Sequence, residues 1–146
     1  MEIANFNNFE DRVFCQVFKK YFEEIQVHVE DWDALFKDMN ADERDVAKVL
    51  MEDGKIYGFI IYRKDELKNW FFCETIGFIR EFWISKSMRK QGFGSKLLEA
   101  AEKDMEDVNR IMLTPAKRKE SFYEKRGYRK AKIQALNCLH VYVKER

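Results

Sequence analysis

The sequence has few of the features that stabilise a protein covalently or attach it to a membrane. Its three cysteines are odd in number, lie far apart and form no CxxC or Cys/His spacing, which favours reduced thiols over a disulfide framework or a zinc site. No apolar run approaches the ~20 residues that span a bilayer. The first residues include acidic side chains where a signal peptide would be basic and then apolar. We therefore expect a cytoplasmic protein with no membrane partner and no bound metal.

An excess of charge of one sign is also missing. The 27 basic and 26 acidic residues leave a formal net charge of +1, whereas nucleic-acid binders usually carry a domain-wide basic excess. We therefore expect no nucleic-acid partner. The chain is instead rich in apolar residues, since 46% of its residues are hydrophobic and 15% are aromatic. Its 146 residues suit one core, so we expect a single domain over residues 1–146.

Two amphipathic helices are predicted near the N-terminus, after a short strand at Met1 to Ala4. Asn7, Asn8 and Asp11 can cap the first helix, and Asp31 can cap the second. Apolar residues recur three and four positions apart in both, which indicates one buried face on each helix. These faces comprise Phe14, Val17, Phe18, Tyr21, Phe22 and Ile25 in the first helix and Trp32, Leu35, Phe36 and Met39 in the second.

The middle of the chain changes to a strand-like pattern. Residues 46–52 and 56–63 are apolar runs separated by Asp53-Gly54, a pair typical of a tight hairpin turn. Residues 65–69 are predicted to form a polar loop. The apolar run 78–84 follows and is predicted to be the central strand.

A possible anion site comes directly after this central strand. The basic loop 85–91 ends in Gly92-Phe93-Gly94, and a helix follows with apolar positions at 97, 98, 101, 105 and 108. A helix N-terminus has free N–H groups and a positive dipole end, and glycines let a phosphate approach the backbone. Lys86, Arg89, Lys90 and Lys96 add positive charge nearby. The pattern indicates a pyrophosphate site.

The last third of the chain predicts a strand at 110–114, a helix at 116–126 and strands at 128–133 and 139–144. Thr114 is the expected N-cap before Pro115, the only proline, and Gly127 is the expected helix terminator. The basic residues of this helix, Lys117, Arg118, Lys119, Lys125 and Arg126, form either a solvated face or a contact with a ligand phosphate. The order of elements predicts an α/β fold, a mixed central β-sheet with helices on both faces.

Two motifs in this order resemble those of the GNAT family of acetyl-CoA-dependent N-acetyltransferases. Residues 89–94 read Arg-Lys-Gln-Gly-Phe-Gly, which fits the family's Arg/Gln-x-x-Gly-x-Gly/Ala between the fourth strand and the next helix. Residues 122–128 read Phe-Tyr-Glu-Lys-Arg-Gly-Tyr, similar to the family's Tyr-bearing helix end. One departure is Ala116, where the family often has an Asn that contacts the cofactor.

The resemblance implies acetyl-CoA as co-substrate and a place for each part of it. Backbone amides of 91–95 would hold its pyrophosphate, while Arg89 would add charge or brace the loop. The central strand and strand 110–114 would splay apart, so that backbone near Trp83 and Ile84 meets the pantetheine arm and the thioester. The implied cofactor-binding residues are Trp83, Ile84, Arg89, Lys90, Gln91, Gly92, Phe93, Gly94 and Ser95.

Two residues are the candidate catalytic groups. The resemblance makes Tyr123 the general acid for the departing thiolate, and a phenol pKa near 10 is close to a thiol's ~8.5. Glu81, among apolar neighbours on the central strand, is either a base for the acceptor ammonium or one half of a structural pair, since an unpaired buried carboxylate is costly. Strand alternation places Glu81 and Trp83 on one face, with Arg80 on the other.

The resulting hypothesis is an N-acetyltransferase that lets a primary amine attack acetyl-CoA directly in a ternary complex. Cys73 and Cys138 have no evident base partner, which disfavours a covalent thiol intermediate. A non-catalytic acyl-CoA sensor or partner module is the main alternative, and an unrelated nucleotide-binding protein is a weaker one. The acceptor stays open between small molecules and peptides, with the aromatic residues 70–72 as possible walls of its groove. The oligomeric state is open too, although homodimers are common in the family.

Overall fold

A computed structural model describes residues 1–68, 70–71, 73–116, 118–134 and 140–146. Seven strands in these residues form one mixed sheet in the order β1-β2-β3-β4-β5-β7-β6. The strands are β1 (Glu2–Phe6), β2 (Val46–Glu52), β3 (Lys55–Lys68), β4 (Cys73–Ile84), β5 (Arg110–Leu113), β6 (Arg129–Gln134) and β7 (His140–Glu145). The α-helices are α1 (Arg12–Glu24), α2 (Trp32–Ala41), α3 (Phe93–Asp104) and α4 (Glu120–Glu124). None of the helices in the described residues is both long and apolar enough to cross a bilayer.

Helices α1 and α2 begin where the capping residues predict. The carboxylate of Asp11 accepts from the amide of Phe14 at 3.0 Å, and that of Asp31 accepts from Ala34 at 3.0 Å. Each bond satisfies a backbone donor that the first helical turn leaves without a partner. The apolar faces of both helices then pack on one face of the sheet. The buried cluster there includes Phe14, Phe18, Phe36, Phe59 and Trp83.

Helix α3 covers the opposite face, so the predicted α/β fold with helices on both faces is confirmed. Leu97, Leu98 and Ala101 are fully buried, as their spacing indicates, and lie in one cluster with residues of β3 to β5. Gly77 in β4 permits the close approach of helix and sheet. A Cβ at that position would stand 2.7 Å from the sulfur of Met105.

The hairpin between β2 and β3 is also confirmed. Asp53 and Gly54 both have positive φ, 52° and 74°, as a two-residue type I′ turn requires. The predicted polar loop at 65–69 is wrong for 65–68, because β3 continues through Lys68 and pairs with β4 as far as Cys73. Residues 65–68 read Asp-Glu-Leu-Lys, so the sequence contains no apolar alternation there that would predict a strand. Residue 69 lies outside the described residues.

The predicted helix at 116–126 is wrong in its extent, since α4 contains only Glu120–Glu124. Arg118 has φ +67°, a left-handed conformation that cannot continue a right-handed helix. Thr114 is consequently not an N-cap, and Lys117 lies outside the described residues. Gly127 terminates the helix, as expected. It has φ +90°, and the amide of Tyr128 donates to the carbonyl of Tyr123 at 3.1 Å.

A β-bulge in β4 changes the direction of one side chain. Ile61 of β3 lies opposite Glu81 and Tyr62 lies opposite Ile79, which leaves Arg80 without an opposite residue. Glu81 shares a face with Trp83, as predicted, and both side chains bond to α1 on that face. The prediction that Arg80 lies on the other face is wrong. Its guanidinium reaches Asp45, which lies between α2 and β2.

Candidate active site

Strands β4 and β5 separate soon after they meet. Their parallel pairing is confined to residues 76–78 of β4, yet β4 continues to Ile84. The edge of β4 from residue 79 to 84 therefore has no strand partner on its β5 side within the described residues. The divergence that the family resemblance implies is present. A cleft of about 400 Å³ opens at the point of divergence. Residues that line it include Arg63 and Asp65 of β3, Phe78 and Arg80 of β4, and Met112 and Thr114 of β5 and its end.

The far end of this edge of β4 leads to the glycine turn. Gly92 is the N-cap of α3 and has φ +85°, and Lys90 in the same loop has φ +63°. The first helical bond runs from the amide of Lys96 to the carbonyl of Gly92, at 3.2 Å. The amides of residues 93–95 precede that bond and donate to no described residue. No atom lies within 4 Å of a Cβ built on Gly92, so the turn is open to an approaching anion.

Arg89 braces the loop instead of pointing at the turn. Its Nε donates to the carbonyl of Ile84 and its Nη2 to Glu24 in α1, both at 2.8 Å. The indole of Trp83 donates to the same carboxylate at 3.0 Å. Partial burial acts to raise the pKa of Glu24, but the hydrogen bonds from Arg89 and Trp83 outweigh burial and lower it. The side chains of Arg89 and Trp83 thus tie α1 to the end of β4.

Arg126 supplies a cation to the glycine turn that the sequence did not place there. Its Nε donates to the hydroxyl of Ser95, in the first turn of α3, at 3.0 Å. Its Nη1 donates to the carbonyl of Phe122, and its guanidinium lies 3.7 Å from the centre of the Phe122 ring. The contact joins residues 31 positions apart, so local sequence patterns carry no signal for it.

Glu81 is paired on the α1 face. The hydroxyl of Tyr21 in α1 donates a hydrogen bond to Oε2 of Glu81. No described residue donates a hydrogen bond to its Oε1. Burial raises the pKa of Glu81, while the bond from Tyr21 and the charge of Arg80 oppose that rise in part. Burial, followed by the charge of Glu81, raises the pKa of Tyr21. The carboxylate is therefore held by a neutral donor and has a greater proton affinity than an exposed one.

Tyr123 lies on the other face of β4, buried among aromatic rings. The ring centres of Phe82, Phe122 and Tyr128 lie 6.4, 5.1 and 5.8 Å from its own. Its hydroxyl makes no hydrogen bond to a described residue. Burial raises the pKa of Tyr123, so the phenol stays protonated at neutral pH. Tyr123 also contributes to the raised pKa of Tyr21, so the two phenols are close enough to interact electrostatically.

The aromatic residues of the β3–β4 turn do not join this arrangement. Trp70 and Phe71 are almost fully exposed, at the end of β4 remote from Ile84, and neither lines the cleft. Phe72 lies outside the described residues. The suggestion that residues 70–72 wall an acceptor groove therefore receives no support from the two that are described.

Comparisons with known proteins agree with this geometry. The sequence profile of the Acetyltransferase (GNAT) family matches residues 12–128. Comparison with curated protein sequences gives no match. Similar solved structures include an acetyltransferase from Thermus thermophilus, at 18% identity and TM-score 0.75, with 99% of this chain and 96% of that chain covered. The NatC complex bound to Gag peptide and CoA gives 20% identity and TM-score 0.71, with 100% and 99% covered.

A third similar structure is the PaiA N-acetyltransferase from Thermoplasma acidophilum in complex with coenzyme A, at 15% identity and TM-score 0.68, with both chains fully covered. Identities this low show a shared fold. The family profile goes further, because it matches most of the chain and includes the glycine turn. Acyl transfer is thereby supported as the general activity. The chain belongs to the GNAT family of acetyltransferases.

Proposed function

We propose that this protein transfers the acetyl group of acetyl-CoA to a primary amine by direct attack in a ternary complex. The observation that carries the proposal is the edge of β4 between residues 79 and 84. It runs from the cleft at residues 79 and 80, past Glu81, to Ile84 near the glycine turn, and β5 leaves it without a strand partner among the described residues. Two of the similar structures contain coenzyme A, which supports the same ligand here.

The glycine turn suits the pyrophosphate of the co-substrate. Amides of residues 91–95 lie at the positive end of the α3 dipole, and glycine at 92 keeps the approach free of a side chain. Arg126 adds a fixed positive charge at Ser95. The pantetheine arm would then follow the free edge of β4. Backbone amides near Trp83 and Ile84 are the proposed donors to the thioester carbonyl, where negative charge develops during attack.

Glu81 is the proposed base. An incoming amine arrives protonated at neutral pH and must lose a proton before it can attack. Oε1 of Glu81 is available to accept that proton, directly or through a water, while Tyr21 holds Oε2. The raised pKa of this carboxylate brings its proton affinity closer to that of the amine, which favours transfer.

Tyr123 is the proposed acid on the opposite face of β4. Its raised pKa ensures that the phenol carries a proton when the thiolate of coenzyme A departs, although burial also makes Tyr123 a weaker acid than a phenol with the ordinary pKa near 10. A carboxylate that accepts and a phenol that donates thus flank one strand edge, at opposite faces. This arrangement provides both proton transfers of amide formation without any covalent enzyme intermediate.

The described cysteines support direct attack over a thiol-based route. Cys15 donates to the carbonyl of Phe9 at 3.3 Å, and burial raises its pKa. The thiol of Cys73 donates a hydrogen bond to the carboxylate of Glu66, and this bond raises the pKa of the thiol. Neither is an activated thiolate, which a nucleophilic cysteine has to be. Cys138 lies outside the described residues.

Two measurements test the proposal. Acetyl-CoA should raise the melting temperature, because a ligand at 100 times its dissociation constant stabilises the folded state by about 2.7 kcal/mol. Release of the coenzyme A thiol should then depend on an added amine, with intersecting double-reciprocal plots. Parallel plots would contradict direct attack. Stabilisation without thiol release for any amine would favour the acyl-CoA sensor, and absence of stabilisation would exclude both.

A further inference from the structure

The cleft at the point where β4 and β5 diverge contains an anchored pair of arginines. Asp45, whose side chain is 3% exposed, accepts from Nη1 of Arg80 at 2.7 Å and lies 3.1 Å from Nε of Arg63. Both arginines line the cleft. Nε and Nη2 of Arg80 make no hydrogen bond to another described residue. One side of the Arg80 guanidinium is therefore fixed, and the other side is available to a ligand.

The exposures of the side chains decide which charge a ligand meets. Arg80 is 46% exposed, whereas Asp65, the acidic residue of the lining, is 24% exposed and already paired with Arg44 at 3.2 Å. Asp42 on the same side is paired with Arg44 at 3.0 Å. The carboxylates are thus covered or engaged, and the most accessible charge in the cleft is positive.

The bulge in β4 brings this charge next to the proposed base. Because Arg80 has no opposite residue on β3, it and Glu81 project toward the same face, although they are consecutive in a strand. Arg80 lines the cleft, and Glu81 is the next residue along the strand, so a ligand held by Arg80 lies beside the proposed base. That pairing is complementary to a molecule that carries both a carboxylate and an ammonium group.

We infer that the acceptor is a small amine that also bears a carboxylate, as an amino acid does, and that Arg80 binds the carboxylate while the amine faces Glu81. Arginine suits this task because its planar guanidinium donates two parallel hydrogen bonds to one carboxylate. Phe78 and Met112 give the cleft an apolar wall for the carbon skeleton. A polyamine is disfavoured, because its second ammonium would meet Arg80 and Arg63. The inference rests on the proposed function and specifies its substrate.

Matched acceptors test the inference. Thiol release from acetyl-CoA is measured with each of the twenty amino acids, with their carboxamides and with spermidine. The amide keeps the size of the amino acid and removes its negative charge. We expect kcat/KM to be at least roughly tenfold greater for a free amino acid than for its amide, as for one charge-assisted hydrogen bond. The α-amine of an amino acid carboxamide is less basic than that of the free acid and so is more often neutral. This difference favours turnover of the amide, so a preference for the acid could not be caused by it.

Two substitutions show whether Arg80 is the cause. Arg80→Gln should remove the preference for the acid, so that kcat/KM falls much more for the acid than for its amide. Arg110→Gln is the matched control: Arg110 also lies in the sheet, is 43% exposed and pairs with Glu74 at 2.7 Å, but lines no part of the cleft. The control should keep the preference. Melting temperatures with acetyl-CoA verify that both variants fold and bind the co-substrate.

The possible failures are distinguishable. Turnover with amides or spermidine as fast as with amino acids would overturn this inference and leave the acetyltransferase proposal intact. So would an equal loss of acid and amide turnover in Arg80→Gln, since it would mean that Arg80 only supports the fold around Asp45. Absence of thiol release with every amine, despite stabilisation by acetyl-CoA, would instead contradict the proposed function itself.

Discussion

The hydroxyl of Tyr21 in α1 donates a hydrogen bond to Oε2 of Glu81 in β4, and so joins two residues 60 positions apart. The ring of Tyr21 is held in place by Phe18, Phe22 and Phe59, whose ring centres lie 5.4 to 5.9 Å away. The donor is therefore fixed, and it orients the carboxylate. It also stabilises the charged form of Glu81 and so opposes part of the rise in pKa that burial causes.

Tyr21→Phe should consequently move the pH dependence of catalysis. Loss of the donor raises the pKa of Glu81 further, so a greater share of the carboxyl groups is protonated and unable to act as a base. We expect the acidic limb of the kcat/KM profile to move to higher pH, with activity recovering toward the wild-type value at alkaline pH. Initial rates at saturating acetyl-CoA from pH 5 to 10 measure the shift.

Tyr62→Phe is the matched control for that substitution. Tyr62 in β3 also donates to a carboxylate, Asp104 of α3, but does so on the opposite face of the sheet. Both variants lose one phenol–carboxylate bond, which stabilises a fold by about 1–3 kcal/mol. Both should unfold at lower urea concentration. A similar shift of the pH profile in Tyr62→Phe would show that reduced stability, not the loss of a positioned donor, is responsible.

Glu81→Gln separates catalysis from stability. The folded state raises the pKa of Glu81, so between the ordinary and the raised value it binds more protons than the unfolded chain, and stability falls as pH rises through that window. Glutamine removes this penalty and still accepts from Tyr21. We expect the free energy of unfolding of the variant, relative to that of wild type, to be greater at pH 7 than at pH 4. We also expect kcat to fall roughly 100-fold or more. Urea unfolding at the two pH values and single-turnover rates measure both effects. Retained turnover would assign Glu81 a structural role.

The structural features that can be predicted well from the sequence depend on residues that are close together along the chain. Asp11 caps α1 because its carboxylate reaches an amide three positions ahead. Asp53-Gly54 forms the hairpin turn because both residues adopt positive φ at little cost. Gly92 is similar, since a left-handed residue before an amphipathic helix favours glycine. The fold class follows from such local signals in sequence.

The contacts that shape the candidate site depend instead on distant parts of the chain. Arg80 turns toward the α1 face because of the register between β3 and β4, and no pattern within β4 encodes that register. The bond from Arg126 to Ser95 depends on how the short α4 packs against α3. Tyr21 occupies a regular position in the buried face of α1, so periodicity predicts an apolar role and not the bond to Glu81. Candidate catalytic residues are therefore predictable by type, but their partners are not.

Tyr123→Phe should reduce turnover and leave binding intact. The hydroxyl makes no hydrogen bond to a described residue, so its removal leaves no partner unsatisfied, and the ring keeps its contacts with Phe82 and Tyr128. Loss of a general acid typically costs 10²- to 10⁴-fold. We expect kcat to fall by about 100-fold, with an unchanged dissociation constant for coenzyme A by calorimetry. Turnover equal to wild type across the pH range would remove the assignment.

The raised pKa of Tyr123 also determines whether ionisation of this phenol limits the wild-type activity at alkaline pH. An exposed phenol loses its proton near pH 10, but burial keeps the proton on Tyr123 to higher pH. Tyr123 should therefore cause no loss of kcat below pH 10. A descending limb near pH 8 that disappears in Tyr123→Phe would contradict the burial that the structure shows.

Gly92→Ala tests the glycine turn, and Gly54→Ala is its control. Both glycines have left-handed backbone, φ +85° and +74°, and neither has an atom within 4 Å of the place where a Cβ would stand. Alanine at either position costs about 1–2 kcal/mol of backbone strain without a steric clash. Both variants should therefore lose similar stability to urea. Only at Gly92 would the methyl group crowd the amides proposed for the pyrophosphate, so the dissociation constant for coenzyme A should rise at least roughly tenfold in that variant alone. Equal affinities in the two variants, measured by calorimetry, would leave the turn without a role in cofactor binding.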